Sequence, residues 1–300
     1  MIIVRITGGL GNQMFQYAFG RRTAHIRRAP LKLDISWYAG QKAGQGPDKQ
    51  DVLRTFDLHH FNIAAEPATE AEIARFTAKA GLIRRLRRGV EMRLPWYWRR
   101  TVKQPAWHFD AGALRARGNC YLNGTWQSEK HFRDAADVIR NDLSVRSAPQ
   151  GANARVAERI RQVNAVSVHI RRGDYVANAH TNEFHGLCPL AYYERATGEL
   201  RKTAPELHFF VFSDDPEWAA AHLKLPGPME FMAHNGPDEA HEDMRLMSLC
   251  RMHIIANSSF SWWGAWLNDD PRKVVIAPAK WFNNSPYDTR DVVPESWIRM

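Results

Sequence analysis

Apolar and polar positions along this chain follow two periods in turn. Ile2 to Ile6 is a short β-branched run that stops at Thr7-Gly8-Gly9-Leu10-Gly11-Asn12-Gln13, after which Met14, Phe15, Tyr17, Ala18 and Phe19 recur at helical spacing. Strand, glycine loop and helix in that order predict an α/β domain whose loop approaches a ligand. Leu31 to Ile35 reads as a second strand, Glu70 to Lys79 as a helix, Cys120 to Gly124 as a strand and Glu129 to Arg140 as a helix. From Ser144 to Asn153 the periodicity lapses into Ser, Pro, Gly and Ala, which places a domain boundary near residue 150.

The second half alternates more regularly. A helix around Ala154 to Gln162 precedes the apolar positions Val166, Val168 and Ile170 of a strand. A helix at Leu190 to Leu200 and the strand Leu207 to Phe212 follow, and then a helix through Met244, Leu246, Met247 and Cys250. The strand His253 to Asn257, a tryptophan-rich helix and the strand Val274 to Pro278 complete the series. Strands separated by helical crossovers predict parallel sheets.

With 300 residues and 44% hydrophobic content, the chain can bury the cores of two domains. Its formal net charge of +9 favours an anionic partner: nucleic acid, an acidic membrane surface or a phosphorylated substrate. Cys120, Cys188 and Cys250 are far apart and form no CxxC pair, which argues against a disulfide framework or a zinc site and for a reducing compartment. The N-terminal segment lacks the apolar stretch of a signal peptide, and no window of about eighteen apolar residues occurs. The expectation is a cytoplasmic protein. The most basic segment, Arg84 to Arg100, carries seven arginines, one acid and the aromatics Trp96, Tyr97 and Trp98. It suits peripheral contact with an anionic membrane on its inner face, an RNA-binding strip, or a solvated helix with the aromatics turned inward.

Chemistry concentrates at strand ends. The strand ending at Ile170 carries His169, Arg171, Arg172 and Asp174 around one glycine, and two adjacent arginines there call for an anion. Ser213-Asp214-Asp215-Pro216 ends the next strand and can cap a helix, orient the arginines or hold a divalent metal ion. Asn257-Ser258-Ser259-Phe260-Ser261 joins a strand to a helix, which brings hydroxyls and free backbone amides to a helix N-terminus suited to phosphate. Trp262, Trp263 and Trp266 read as packing residues. No Walker lysine and no Gly-x-Ser-x-Gly elbow is present. Arginines after one strand and serines after another suit a nucleoside diphosphate leaving a sugar, its growing charge stabilised by those groups.

Three segments carry a resemblance. GGLGNQMFQYAFG at Gly8 to Gly20, HIRRGDY at His169 to Tyr175 and IIANSSFSWWGAWL at Ile254 to Leu267 resemble, in order, the three motifs of the α-1,2-fucosyltransferases, glycosyltransferase family eleven. The resemblance implies two Rossmann-like domains facing a cleft, the GT-B type, with residues 1–150 on the acceptor side and 151–300 binding the GDP-sugar. It also implies GDP-fucose as donor, a galactose-terminated oligosaccharide or glycolipid as acceptor, inversion at the anomeric carbon, no metal ion and no other cofactor. Arg171 and Arg172 match the diphosphate-holding arginines, and Ser258, Ser259 and Ser261 match the serine loop. By similarity to the wider fucosyltransferase group, His169 and Asp243 would touch guanine and Asn12 would lie near the fucose. Asp174 is the first candidate for the base that takes the acceptor proton, with a structural role beside an arginine as its alternative and Glu183 and His185 in reserve. Surface-glycan or O-antigen synthesis is the expected setting. A GDP-sugar transferase with another linkage or acceptor is the second reading, and a basic nucleic-acid-binding protein a distant third.

Overall fold

The computed structural model of the chain describes residues 1–41, 53–77, 89, 91–173, 186–204, 206–283 and 285–300. It divides into two compact α/β units, and the chain passes from the first to the second between Leu143 and Ser144. Tyr287–Val292 belongs to the first unit and Val293–Met300 to the second.

The first unit holds a five-stranded sheet, β1 (Ile2–Arg5), β2 (Leu31–Asp34), β3 (Glu66–Pro67), β4 (Thr101–Lys103) and β5 (Cys120–Asn123), in the order β3-β2-β1-β5-β4. Every pairing in it is parallel. Helix α1 (Leu10–Arg27) follows β1 directly, and its first half is buried almost all round. Among the described residues, helices α2 (Ser36–Ala39), α3 (Glu70–Thr77) and α4 (Ala136–Asp142) also belong to the unit. The helix expected from Glu129 to Arg140 is broken: two 3₁₀ turns, Glu129–His131 and Arg133–Ala135, precede α4. The cause is Phe132, whose fully buried ring is reached with an extended φ of −148° that no α-helix accepts. Tyr17 and Arg21 of α1 both donate to the Asp142 carboxylate at 2.6 Å, fixing α4 against α1. Lys130 Nζ and the backbone N–H of Phe109 donate to Asp291, which ties Tyr287–Val292 to this unit.

The second unit is built on β6 (Ala165–Ile170), β7 (His208–Ser213), β8 (Met229–Met232), β9 (Met252–Ile254), β10 (Val274–Ala277) and β11 (Ile298–Arg299). Their order is β11-β10-β9-β6-β7-β8, again all parallel. Helices α5 (Gly151–Gln162), α6 (Leu190–Leu200), α7 (Pro216–His222), α8 (Ala240–Leu249) and α9 (Ser259–Leu267) are its crossovers. Helical cover on both faces explains why the central strands are buried on both sides. Val166, Val168, Phe209 and Val211 pack with Tyr192 and Tyr193 of α6 in one core. The alternate positions Ala165, Phe210 and Phe212 pack with Leu246 and Met247 of α8 in the other. The period of two therefore places Ser167 and His169 on the second face.

On that face Ser167, His253 and Asn268 form a buried polar chain. Asn268 donates to His253 Nε2 at 3.0 Å, so His253 carries its proton on Nδ1 and donates it to Ser167 Oγ at 2.8 Å. A serine that accepts from its histidine inside a closed core is structural. Trp262, Trp263 and Trp266 lie in the interior, with Trp262 also against Trp297.

No helix among the described residues is long and apolar enough to cross a membrane. Arg84, Arg85, Arg87 and Arg88 of the basic segment lie outside the described residues. Of its remainder, Trp96 donates to Asp110, and the rings of Tyr97 and Trp98 are each faced by an arginine, Arg115 and Arg117 respectively.

Candidate functional site

In the second unit the chain starts at β6 in the middle of the sheet, winds out through β7 and β8, and returns on the other side as β9, β10 and β11. The winding reverses between β6 and β9, and ligands of open parallel sheets gather beyond the carboxyl ends of such strands. Arg171 and Arg172 leave β6 there, the Ser258 loop leaves β9 beside them, and Asp214 and Asp215 leave β7 on the other flank.

The acidic pair holds the arginines. Arg171 Nη1 lies 3.2 Å from Asp214 Oδ2, and the backbone N–H of Arg172 donates to Asp214 Oδ1 at 2.8 Å. Asp215 accepts the Trp218 N–H at 3.2 Å as the cap of α7, with Pro216 in the first turn, and stands 3.6 Å from Arg172 Nε. The Arg172 guanidinium lies over the Trp218 ring, 4.0 Å from its centre. Both carboxylates are thus engaged in capping and in orienting the arginines, whose side chains stay about one fifth to one quarter exposed. A Cβ at Gly173 would stand 3.1 Å from Asp214 Oδ2, which keeps this turn tight.

The three serines differ in what they offer. Ser258 caps α9 by accepting the Phe260 N–H at 3.3 Å. Ser261 is fully buried, and its hydroxyl donates to the carbonyls of Ala256 and Ser258 at 3.4 and 3.3 Å. Its hydroxyl holds the loop from inside, while Ser259 is half-buried rather than buried. Asn257 Nδ2 fixes the loop further by donating to the carbonyls of Gly186 and Trp281.

His169 lies under the arginines with its ring against Phe260, 5.6 Å between centres. Burial, reinforced by the Arg171 charge, lowers its pKa to about 3, so the ring is neutral at working pH. Asp243 belongs to a separate polar group on α8. Asn235 donates to Asp243 Oδ1 at 2.7 Å and exchanges amide hydrogen bonds with Asn153, to which His234 is also bonded. Burial pushes the Asp243 carboxyl up to about 6. Asp174, Glu183 and His185 lie outside the described residues.

Asn12 belongs to the first unit. Gln127 donates to its Oδ1 at 2.7 Å, and a Cβ on Gly8, which sits at φ +78°, would come within 2.8 Å of Asn12 Nδ2. Only glycine fits that turn. From the sequence, Asn12 and Gln13 both suit sugar hydroxyls; the structure makes Gln13 a support instead, completely buried and joined to Gly8 O, Thr55 O and the Asp57 N–H, while Tyr38 donates to Gly8 O. Nor does the sequence mark Trp218, whose role depends on the helix that follows β7.

Residues 103–300 match the profile described as Glycosyl transferase family 11. An alpha-1,2-colitosyltransferase of Escherichia coli is 33% identical over 100% of this chain and 99% of its own length. The O-antigen biosynthesis glycosyltransferase WbnK of Escherichia coli is 33% identical over 98% of this chain and 99% of its own. A galactoside alpha-(1,2)-fucosyltransferase 1 of Mus musculus is 27% identical over 46% of this chain and 34% of its own length.

Proposed function

The chain belongs to glycosyltransferase family 11, and from that premise we propose that it transfers L-fucose from GDP-fucose to the 2-hydroxyl of a terminal galactoside, with inversion, in surface-glycan or O-antigen synthesis. The observation that carries the reading is the placement of Arg171 and Arg172 beside the serine loop where the winding of the second sheet reverses. Two guanidiniums held by carboxylates and an aromatic face are preorganised for a diphosphate, and need no rearrangement as charge grows on it. Supporting the 1,2 linkage and the setting are the names of the relatives: a colitosyltransferase, an O-antigen glycosyltransferase and a galactoside fucosyltransferase.

In this reading the acceptor oxygen forms its bond to the fucose anomeric carbon as the bond to the β-phosphate oxygen breaks. The acceptor proton goes to a carboxylate, assigned to Asp174 by its place in the HIRRGDY motif, and GDP leaves against Arg171, Arg172, Ser259 and the first-turn amides of α9. Ser258 shapes that turn, and Ser261 supports it. His169 and Asp243 are assigned to the guanine side and Asn12 to the sugar side. The arginines supply the positive charge at the diphosphate, so the proposed reaction uses no metal ion.

The full-length likeness to a colitosyltransferase favours one second reading, transfer of colitose in place of fucose from its GDP-linked form. Release of GDP from GDP-fucose and from GDP-colitose, with and without lactose and with and without EDTA, tests both. Lactose-dependent release from GDP-fucose that ignores EDTA, with a 1,2-linked product, supports the first. Release from GDP-colitose alone replaces it with the second, and loss of turnover in EDTA overturns the metal-free mechanism.

A further inference from the structure

The first unit contains a cavity of about 400 Å³ lined by Arg5, Thr7, Gly8, Gln16, Trp37 and the segment Asn123 to Thr125. Its size lies within the roughly 300–1,000 Å³ common for small-molecule sites, and its place in the sheet is specific. From β1 the chain winds through β2 and β3 to one side, while β4 and β5 lie on the other. Arg5 ends β1 and Asn123 ends β5, so the cavity opens at the point where this sheet, too, reverses.

Three features indicate a built site. The wall after β5 is strained: Trp126 takes φ +55° although it is a fully buried tryptophan, and a Cβ on Gly124 would come within 2.5 Å of Gln104 Cβ. Gln104 Oε1 holds this wall by accepting from the Thr125 and Trp126 N–H groups at 2.8 and 2.9 Å. The floor is fixed by Gln16, which both accepts from the Thr7 N–H and donates to Thr7 Oγ1. Finally, half-buried Arg5 makes no side-chain hydrogen bond or ion pair with any described residue, although it faces the cavity.

The lining selects a ligand class. Among the described residues of the lining, Trp37 is the aromatic ring and Arg5, Thr7, Gln16, Asn123 and Thr125 are polar, a mixture suited to a sugar with one apolar face and a rim of hydroxyls. Asp34 is the register partner of Arg5 on β2, so both project from the same sheet face. Tyr121 donates to Asp34 at 2.6 Å; burial first and then this carboxylate raise its pKa, and the Arg5 charge opposes them. Arg5 offers a fork of N–H donors that hydroxyl oxygens can accept.

We propose that this cavity is the subsite for the terminal β-galactoside of the acceptor, with Trp37 as its stacking face and Arg5, Asn123 and Thr125 reading its hydroxyls. The assignment rests on the glycosyl-transfer reading above, but its test does not need the donor. Ligand-observed saturation-transfer NMR with lactose on the full chain should show transfer in the wild type and little in Trp37→Ala or Arg5→Met. Trp37→Phe should recover most of it; circular dichroism and thermal unfolding report whether each variant is folded, and GDP titration reports the donor site separately. In turnover, Trp37→Ala should raise KM for lactose about tenfold or more while KM for GDP-fucose moves less than about twofold. Absence of lactose binding in the wild type, or equal binding in folded Trp37→Ala, overturns the assignment. A rise in donor KM alone also overturns it, because the cavity would then hold the donor. Wild-type lactose binding without any GDP affinity would instead overturn the proposed reaction and leave the cavity assignment standing.

Discussion

The Arg172 guanidinium lies 4.0 Å from the centre of the Trp218 ring, while its own backbone N–H is held by Asp214. One residue is thus fixed at both ends, by a carboxylate and by an aromatic face. A cation over an indole is worth about 1 kcal/mol at a partly exposed site. Trp218→Ala should therefore weaken GDP binding roughly fivefold, and Trp218→Phe by less. Calorimetric titration of GDP into each variant checks the order.

The serines divide into a supporting one and a contacting one. Ser261→Ala removes two long internal hydrogen bonds and should cost about 0.5–1.5 kcal/mol of stability. Ser259→Ala leaves the core intact and should weaken GDP binding with almost no stability loss. Urea denaturation together with GDP titration on the two variants separates the roles, and the reverse pattern would reassign them.

Asp243 gives a pH signature. Burial raises its carboxyl to about 6, helped by Glu239 and Glu242 and opposed by the Asn235 hydrogen bond. A raised carboxyl means that the folded state holds its proton more tightly than the unfolded chain. The stability that this group contributes is fully present below the ordinary carboxylate range and is lost as pH rises through about 6. Asp243→Asn should thus gain stability relative to wild type above pH 6 and gain nothing below about pH 4. If the ionised carboxylate reads guanine, wild-type GDP affinity should also fall as pH drops below about 6, and the variant should bind weakly at every pH. Urea curves and GDP titrations at pH 4.5, 6 and 8 follow both effects.

The turn at Gly8 should tolerate no side chain. Gly8→Ala places a Cβ against Asn12 Nδ2 at a positive φ, and should destabilise the first unit by about 1 kcal/mol or more. Lactose binding should suffer with it, since Gly8 also lines the cavity. A variant as stable as wild type, measured by thermal unfolding, would show that the loop can move aside.

What could be read from the linear sequence was whatever local periodicity carries. Val166, Val168 and Ile170 alternate because they enter one apolar core while Ser167 and His169 make polar and aromatic contacts on the opposite face, and Asp215-Pro216 announces a helix cap within three residues. The parallel strand order and its two reversal points were not legible, because register is set by packing between segments far apart. The break at Phe132 escaped for a similar reason: a helical pattern is present, and a single buried ring overrides it. In the site, Arg171, Arg172 and the serine loop stood out as charge and hydroxyl clusters. The inward turn of Ser261, the ring of Trp218 under Arg172 and the cavity between Arg5 and Asn123 depend on the fold, and no spacing rule marks them.

The central claim is that a GDP-linked sugar is held by the arginines that follow β6. Titration of GDP into wild type, Arg171→Ala and Arg172→Ala tests it most directly, with circular dichroism confirming that each is folded. Removing a charged contact to phosphate should cost about 1.5–3 kcal/mol, so the account predicts affinity falling roughly tenfold or more in each variant. Unchanged GDP affinity in both folded variants, or no GDP binding by the wild type, would contradict it.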